Sequence, residues 1–153
     1  MSLNKSQAKN ETLAVRKCTC FNLRKATRTV TQLFDEVMQP TGLRATQFTL
    51  LAAISSTGAV TIRRLSQVLV MDRTTLTRNL KPLETKRLVK IVPGEDRRTR
   101  TLTLTGKGRK TLEKSLPLWK QAQSEVIERL TLKRWKELLQ HLNSTVEILG
   151  HTG

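Results

Sequence analysis

The apolar positions form three patterns: stripes of helical period towards both ends, short leucine-rich helices in the middle, and two β-rich runs after them. From about Glu11 to Met38, the residues Cys20, Leu23, Val30, Phe34 and Val37 share one face, with Thr27 completing it. This predicts one long helix, ended by Pro40-Thr41-Gly42. Thr46 ahead of Phe48, Leu50, Leu51, Ala53 and Ile54 predicts a Thr-capped buried helix that stops at Ser55-Ser56-Thr57-Gly58. Thr61 caps a third, with Ile62, Leu65, Val68 and Leu69 inward. After a break near Val70-Met71-Asp72, Leu76, Leu80 and Leu83 define a fourth helix whose other face carries Arg73, Thr74, Thr77, Arg78 and Lys81. Two short helices meeting at a tight turn make a helix-turn-helix pattern.

Leu88-Val89-Lys90-Ile91-Val92 and Thr101-Leu102-Thr103-Leu104-Thr105 are rich in β-formers and bracket a basic segment, Pro93 to Arg100, so they predict a hairpin with a basic tip. Thr105 then caps a long helical region whose apolar side includes Leu112, Leu116, Trp119, Ala122, Val126, Leu130, Trp135, Leu138, Leu142, Val146 and Leu149. Pro117 and Thr131-Leu132 are its expected kink or break points. The fold class is therefore mainly α with a small β-hairpin wing, a winged helix-turn-helix flanked by N- and C-terminal helices. At 153 residues, with 3% aromatics and no Tyr, the chain has room for one such module plus pairing helices, with a core built from Leu, Val, Ile and Ala.

Charge sharpens this picture. Lys and Arg number 28 against 12 Asp and Glu, a formal net charge of +16. Residues 60–110 alone hold 14 basic against 4 acidic side chains, whereas residues 111–153 hold 6 against 5. A polyanionic partner is implied, met by the middle of the chain. A membrane surface is the poorer match, because the basic third lacks the bulky apolar face of an interfacial helix. No signal-like apolar segment opens the sequence, which reads as cytoplasmic.

The residues that can reach base edges in a major groove are those on the outward face of a helix's first turns. The candidate set there is Arg73, Thr74, Thr75, Thr77, Arg78 and Lys81. Arg can grip guanine at two points, and Thr offers a hydroxyl to phosphate or base and a methyl to thymine. At the hairpin tip, Arg97, Arg98 and Arg100 suit a narrow minor groove, where the negative potential is enhanced. Asp96 has no use for DNA itself and is expected to hold a neighbouring Arg in place by a two-point salt bridge. A solvated helix face with an ordinary surface ion pair is the plainer alternative.

The segment Asp72-Arg73-Thr74-Thr75-Leu76-Thr77-Arg78-Asn79-Leu80-Lys81-Pro82-Leu83-Glu84, and Asp96-Arg97-Arg98 followed by Leu104-Thr105-Gly106-Lys107-Gly108, resemble the MarR family. The likeness covers roughly residues 15–150. It implies a flexible N-terminus over 1–10 and a single domain over 11–153, with 44–106 as the DNA-binding module and 11–40 and 107–150 as dimerisation helices. It also implies a homodimeric repressor on a pseudo-palindromic operator, released by a small aromatic or phenolic effector, with Asp96 and Arg98 as the paired wing residues. An intramolecular helical hairpin is the alternative use of the terminal apolar stripes.

The two cysteines, Cys18 and Cys20, would lie about 200° apart around a helix. The run Cys20-Phe21-Asn22-Leu23 resembles the sensing region of the family's organic-peroxide branch, in which tyrosines bond the sulfur; here Arg24 and Phe34 stand in the corresponding places. Cys20 thus reads either as a redox sensor or as a small core hydrophobe. No catalytic set is visible, nor any cofactor motif, and His141 and His151 have no partner at metal-ligand spacing. Structured RNA would call for stacking aromatics, and a non-specific architectural protein for apolar wedges at the basic tip. The chain has neither.

Overall fold

The structure, a computed structural model, describes residues 14–94 and 99–150. The expected flexible residues 1–10, the expected helix start at Glu11, the wing residues Asp96, Arg97 and Arg98, and His151 all lie outside the described residues. The chain forms two compact units, residues 1–33 and 34–153.

In the first unit, a 3-10 turn at Val15–Lys17 ends on Cys18, whose backbone is extended (φ −65°, ψ 124°), and α1 (Thr19–Met38) begins only after it. The predicted single helix is therefore interrupted. Asn22 reaches back with its Nδ2 to the carbonyl of Arg16, a group that a continuous helix would have paired internally, and to that of Cys18, which also accepts from Asn22 N. Cys18 and Cys20 are consequently not separated by helical geometry, and both are exposed on the single chain.

In the second unit, α2 (Ala45–Thr57) is followed by β1 (Val60–Thr61), α3 (Ile62–Val68), α4 (Arg73–Thr85), β2 (Val89–Pro93), β3 (Arg100–Leu104), α5 (Gly106–Leu130) and α6 (Leu132–Leu149). The strands form an antiparallel sheet in the order β1-β3-β2, with Val60 opposite Leu102 and Val89 opposite Leu104. β1 is an addition to the expected hairpin: two residues ahead of a helix are too few to show an alternating pattern. The core gathers Met38, Leu51, Ile54, Leu65, Leu76, Leu80, Leu83 and Leu102, all essentially inaccessible, and Phe48 of α2 stacks on Trp119 of α5 with ring centroids 5.8 Å apart.

Caps mark most of the helix starts. Thr61 Oγ1 accepts from Arg64 N and Thr105 Oγ1 from Gly108 N, as the sequence leads one to expect. Thr46 is not a cap. α2 begins one residue earlier, where Asp35 accepts from Ala45 N at 2.6 Å and the Gln47 side chain accepts from Arg44 N. Val68 is exposed where an inward position was expected, because α3 ends there. α5 runs through Pro117 without a break, since the carbonyl that proline leaves unpaired, that of Glu113, sits on an exposed turn. The expected break after Leu130 is present, with Thr131 at φ 70°.

One junction connects these parts. The Leu88 carbonyl accepts from Thr105 N at 3.0 Å and from Thr105 Oγ1, which also reaches the carbonyl of Arg87 at 2.7 Å. Gly108 packs directly on that same carbonyl, so a Cβ there would collide with the backbone of Leu88. Gly108→Ala is expected to lower stability by about 1–3 kcal/mol, as overpacking against unyielding backbone does. Urea unfolding monitored by circular dichroism checks this, and a midpoint equal to wild type would show that the junction can relax.

Candidate nucleic-acid interface

α4 is built to present its charge. Leu76, Leu80 and Leu83, at spacings of four and three, are buried, and this single stripe turns Arg73, Thr74, Thr77, Arg78 and Lys81 to solvent. Pro82 lies beyond the first two turns, where loss of one helical hydrogen bond leaves the exposed face in place. The turn into α4 is tight: Met71 N donates to Ser66 O at 2.9 Å, and Val70 occupies the left-handed region at φ 49°.

Asp72 caps α4. Its carboxylate accepts from the Thr75 hydroxyl at 2.6 Å and from Thr75 N at 2.8 Å. These two bonds, the hydroxyl's first, hold the carboxyl below its ordinary range. Thr75 is half-buried and spends its hydroxyl proton on that cap, so it sits apart from the fully outward residues of the candidate set. Thr77 donates its hydroxyl to Arg73 O at 2.8 Å, which leaves it a methyl group and acceptor lone pairs to offer a base edge, but no donor for a phosphate.

The hairpin closes with Pro93 opposite Arg100 and with Gly94 N donating to Thr99 O at 2.7 Å. Arg100 is exposed at the tip-side end of β3. A concavity of about 480 Å³ opens between the wing, α3 and the start of α4, lined by Thr61, Ile62, Arg63, Arg73, Thr99 and Arg100. The structure thus brings Arg73 and Arg100, 27 positions apart in the sequence, to one surface and adds Arg63, which the sequence pattern did not single out. The signal that could have found it is the register of α3: with Leu65 inward, Arg63 falls on the other side.

A sequence profile of the MarR family matches residues 41–99, from the turn before α2 to the wing. The chain is 36% identical to the Mycobacterium tuberculosis transcriptional regulator MosR, whose crystal structure in complex with DNA it matches with a TM-score of 0.75 over 86% of this chain and 97% of that one. The chain belongs to the MarR family. Escherichia coli MarR in its apo form matches at 25% identity and a TM-score of 0.67, covering 84% of this chain and 97% of that one. A mutant E. coli MarR complexed with operator DNA matches at 25% and 0.77, over 90% and 96%. No curated protein matches the chain. This MarR-family chain is a winged-helix, DNA-binding transcriptional regulator. Among its described residues, no group of three or more His, Cys, Asp and Glu could hold a metal, and no helix is long and apolar enough to cross a membrane.

Asp72→Ala is expected to lower the melting temperature at neutral pH. Because the carboxyl's pKa is lower folded than unfolded, its contribution is complete above the ordinary aspartate range and is lost as the pH falls through the lower, folded value. Wild type and variant should therefore converge in acid. A gap in melting temperature that persisted below that range would show that charge is not what Asp72 contributes.

Proposed function

We propose that this regulator binds a pseudo-palindromic operator as a homodimer, represses, and is released by a small aromatic or phenolic effector. The observation that carries the DNA reading is the exposed row Arg73, Thr74, Thr77, Arg78 and Lys81, next to a concavity lined by three arginines and, among the described residues, by no carboxylate. In this reading Arg73 and Arg78 meet base edges from the major groove, Lys81 meets phosphate, and the wing's Arg97, Arg98 and Arg100 enter the neighbouring minor groove, with Asp96 holding Arg98.

Pairing is supported by apolar surface left bare on the single chain. Leu116 of α5 and Leu132, Leu138, Leu139, Val146, Ile148 and Leu149 of α6 are exposed, as are Phe21, Leu23 and Val30 on the N-terminal part of α1. Two linked modules also double the few base contacts that one short recognition helix can make. For the effector, a concavity of about 610 Å³ lies between the turn into α4 and the end of α6, and Asp72, the cap of the recognition helix, lines it along with Met71 and Val146.

Exposure of both thiols favours a second reading of the signal, with Cys20 as the group an oxidant reaches. Under it, wild type releases DNA after a stoichiometric dose of organic peroxide and Cys20→Ser does not. An identical response of the two proteins would remove Cys20 from the mechanism.

The DNA reading is tested on a duplex selected by the protein from a random pool, beside its scrambled counterpart. Wild-type affinity should fall steeply with salt, because several phosphates release their counterions. Arg78→Ala should cost about 1–3 kcal/mol and relax preference at one base position, while Arg100→Ala should weaken both duplexes alike. Asp96→Ala should weaken binding although it removes a negative charge. A flat salt response would contradict DNA binding, and tighter binding by Asp96→Ala would refute its support of Arg98.

A further inference from the structure

Arg63 is not part of the helix-plus-wing contact set, yet it lines the same concavity as Arg73 and Arg100. Arg73 begins the recognition helix and Arg100 begins β3 at the tip-side end of the wing. A helix in the major groove and a ribbon in the adjacent minor groove must straddle the single sugar-phosphate strand that separates those grooves. Whatever lines the space between helix and wing therefore lies on that strand.

We infer that Arg63, in the concavity flanked by Arg73 of the recognition helix and Arg100 of the wing, seats a phosphate of the DNA backbone between the two grooves and so sets the register of helix and wing together. The inference rests on the DNA reading above. Its chemistry follows from three observations. All three guanidiniums belong to exposed residues, none of them has an ion pair among the described residues, and no described carboxylate lines the space. The planar fork of an arginine matches two oxygens of one phosphate. Thr61 and Thr99 add polar groups to the same rim. Arg63 is held at this place by its own short helix, whose Thr61 cap accepts from Arg64 N and whose Arg63 carbonyl accepts from Ser66 Oγ at 2.8 Å. Only the side chain is left to meet a ligand.

A phosphate contact differs from a base contact in what it does to affinity, and this makes the inference testable. Equilibrium binding is measured by fluorescence anisotropy over a range of salt concentrations, for wild type, Arg63→Ala and Arg63→Lys, on the selected duplex and its scrambled counterpart. Arg63→Ala should weaken both duplexes by the same factor, roughly tenfold at low salt, and reduce the slope of log affinity against log salt by about one. Arg63→Lys, which keeps the charge but not the fork, should recover the slope. A slope equal to wild type in Arg63→Ala overturns the seat, and so does a loss confined to the selected duplex, which would mark a base contact. A wild-type protein that binds neither duplex defeats the DNA reading itself; a wild type with a steep slope beside an unaltered Arg63→Ala defeats the seat alone.

Discussion

The carbonyl of Leu88 is the point on which the DNA-binding half depends. Leu88 is buried, so its carbonyl needs a partner, and leaving such a group unpaired costs about 1–3 kcal/mol. Thr105 N satisfies it, and the Thr105 hydroxyl, whose one proton is shared between the carbonyls of Arg87 and Leu88, caps α5 by accepting from Gly108 N. One side chain thereby fixes the end of the wing, the start of the long helix and the turn at Arg87, which enters β2 with φ 56°. Gly108 is required by the same geometry, because only a residue without a Cβ lets the helix sit on that carbonyl. The Leu-Thr-x-x-Gly run at Leu104 to Gly108 is thus a structural clamp.

The second governing feature is electrostatic. Most of the chain's excess positive charge, a net +10 of the +16, falls within residues 60–110, and the acidic side chain of Asp72 beside the recognition surface is tied up locally, holding the start of α4 through Thr75. A carboxylate at a helix N-terminus is favourable for the helix dipole, and its hydrogen bonds come from its own helix, so it serves folding while the cations remain available for a ligand. Asp35 does the equivalent for α2, accepting from Ala45 N and pairing with Arg44 at 3.5 Å.

Much of this was legible in the sequence because it depends on local period. The leucines at 76, 80 and 83 place α4 and its basic face, and Thr61 and Thr105 announce their helices by the residues that follow. What was not legible depends on groups brought together by folding. Thr46 looks like a cap, but Asp35, ten positions upstream, takes that role through the tertiary structure. β1 is too short for a pattern and exists because β3 lends it a partner. The break at Cys18 has no glycine or proline to signal it, and Arg63 became part of the candidate site only when the wing folded beside α3. For Asp96, Arg97 and Arg98, the expectation rests on the family resemblance.

The joint between wing and helix has a mechanical consequence. A single residue, Thr105, separates the end of β3 from the start of α5, so the ribbon and the 25-residue helix form one rigid lever with no slack between its arms. At 1.5 Å per residue the helical arm is roughly 38 Å long. A tilt of about 5° around the joint moves its far end by about 3 Å on that length, and the same rotation is passed undamped to the strand that carries Arg100. Any event that levers the outer end of α5 is therefore felt at the tip-side end of the wing as a change of aim, without a hinge needing to unfold.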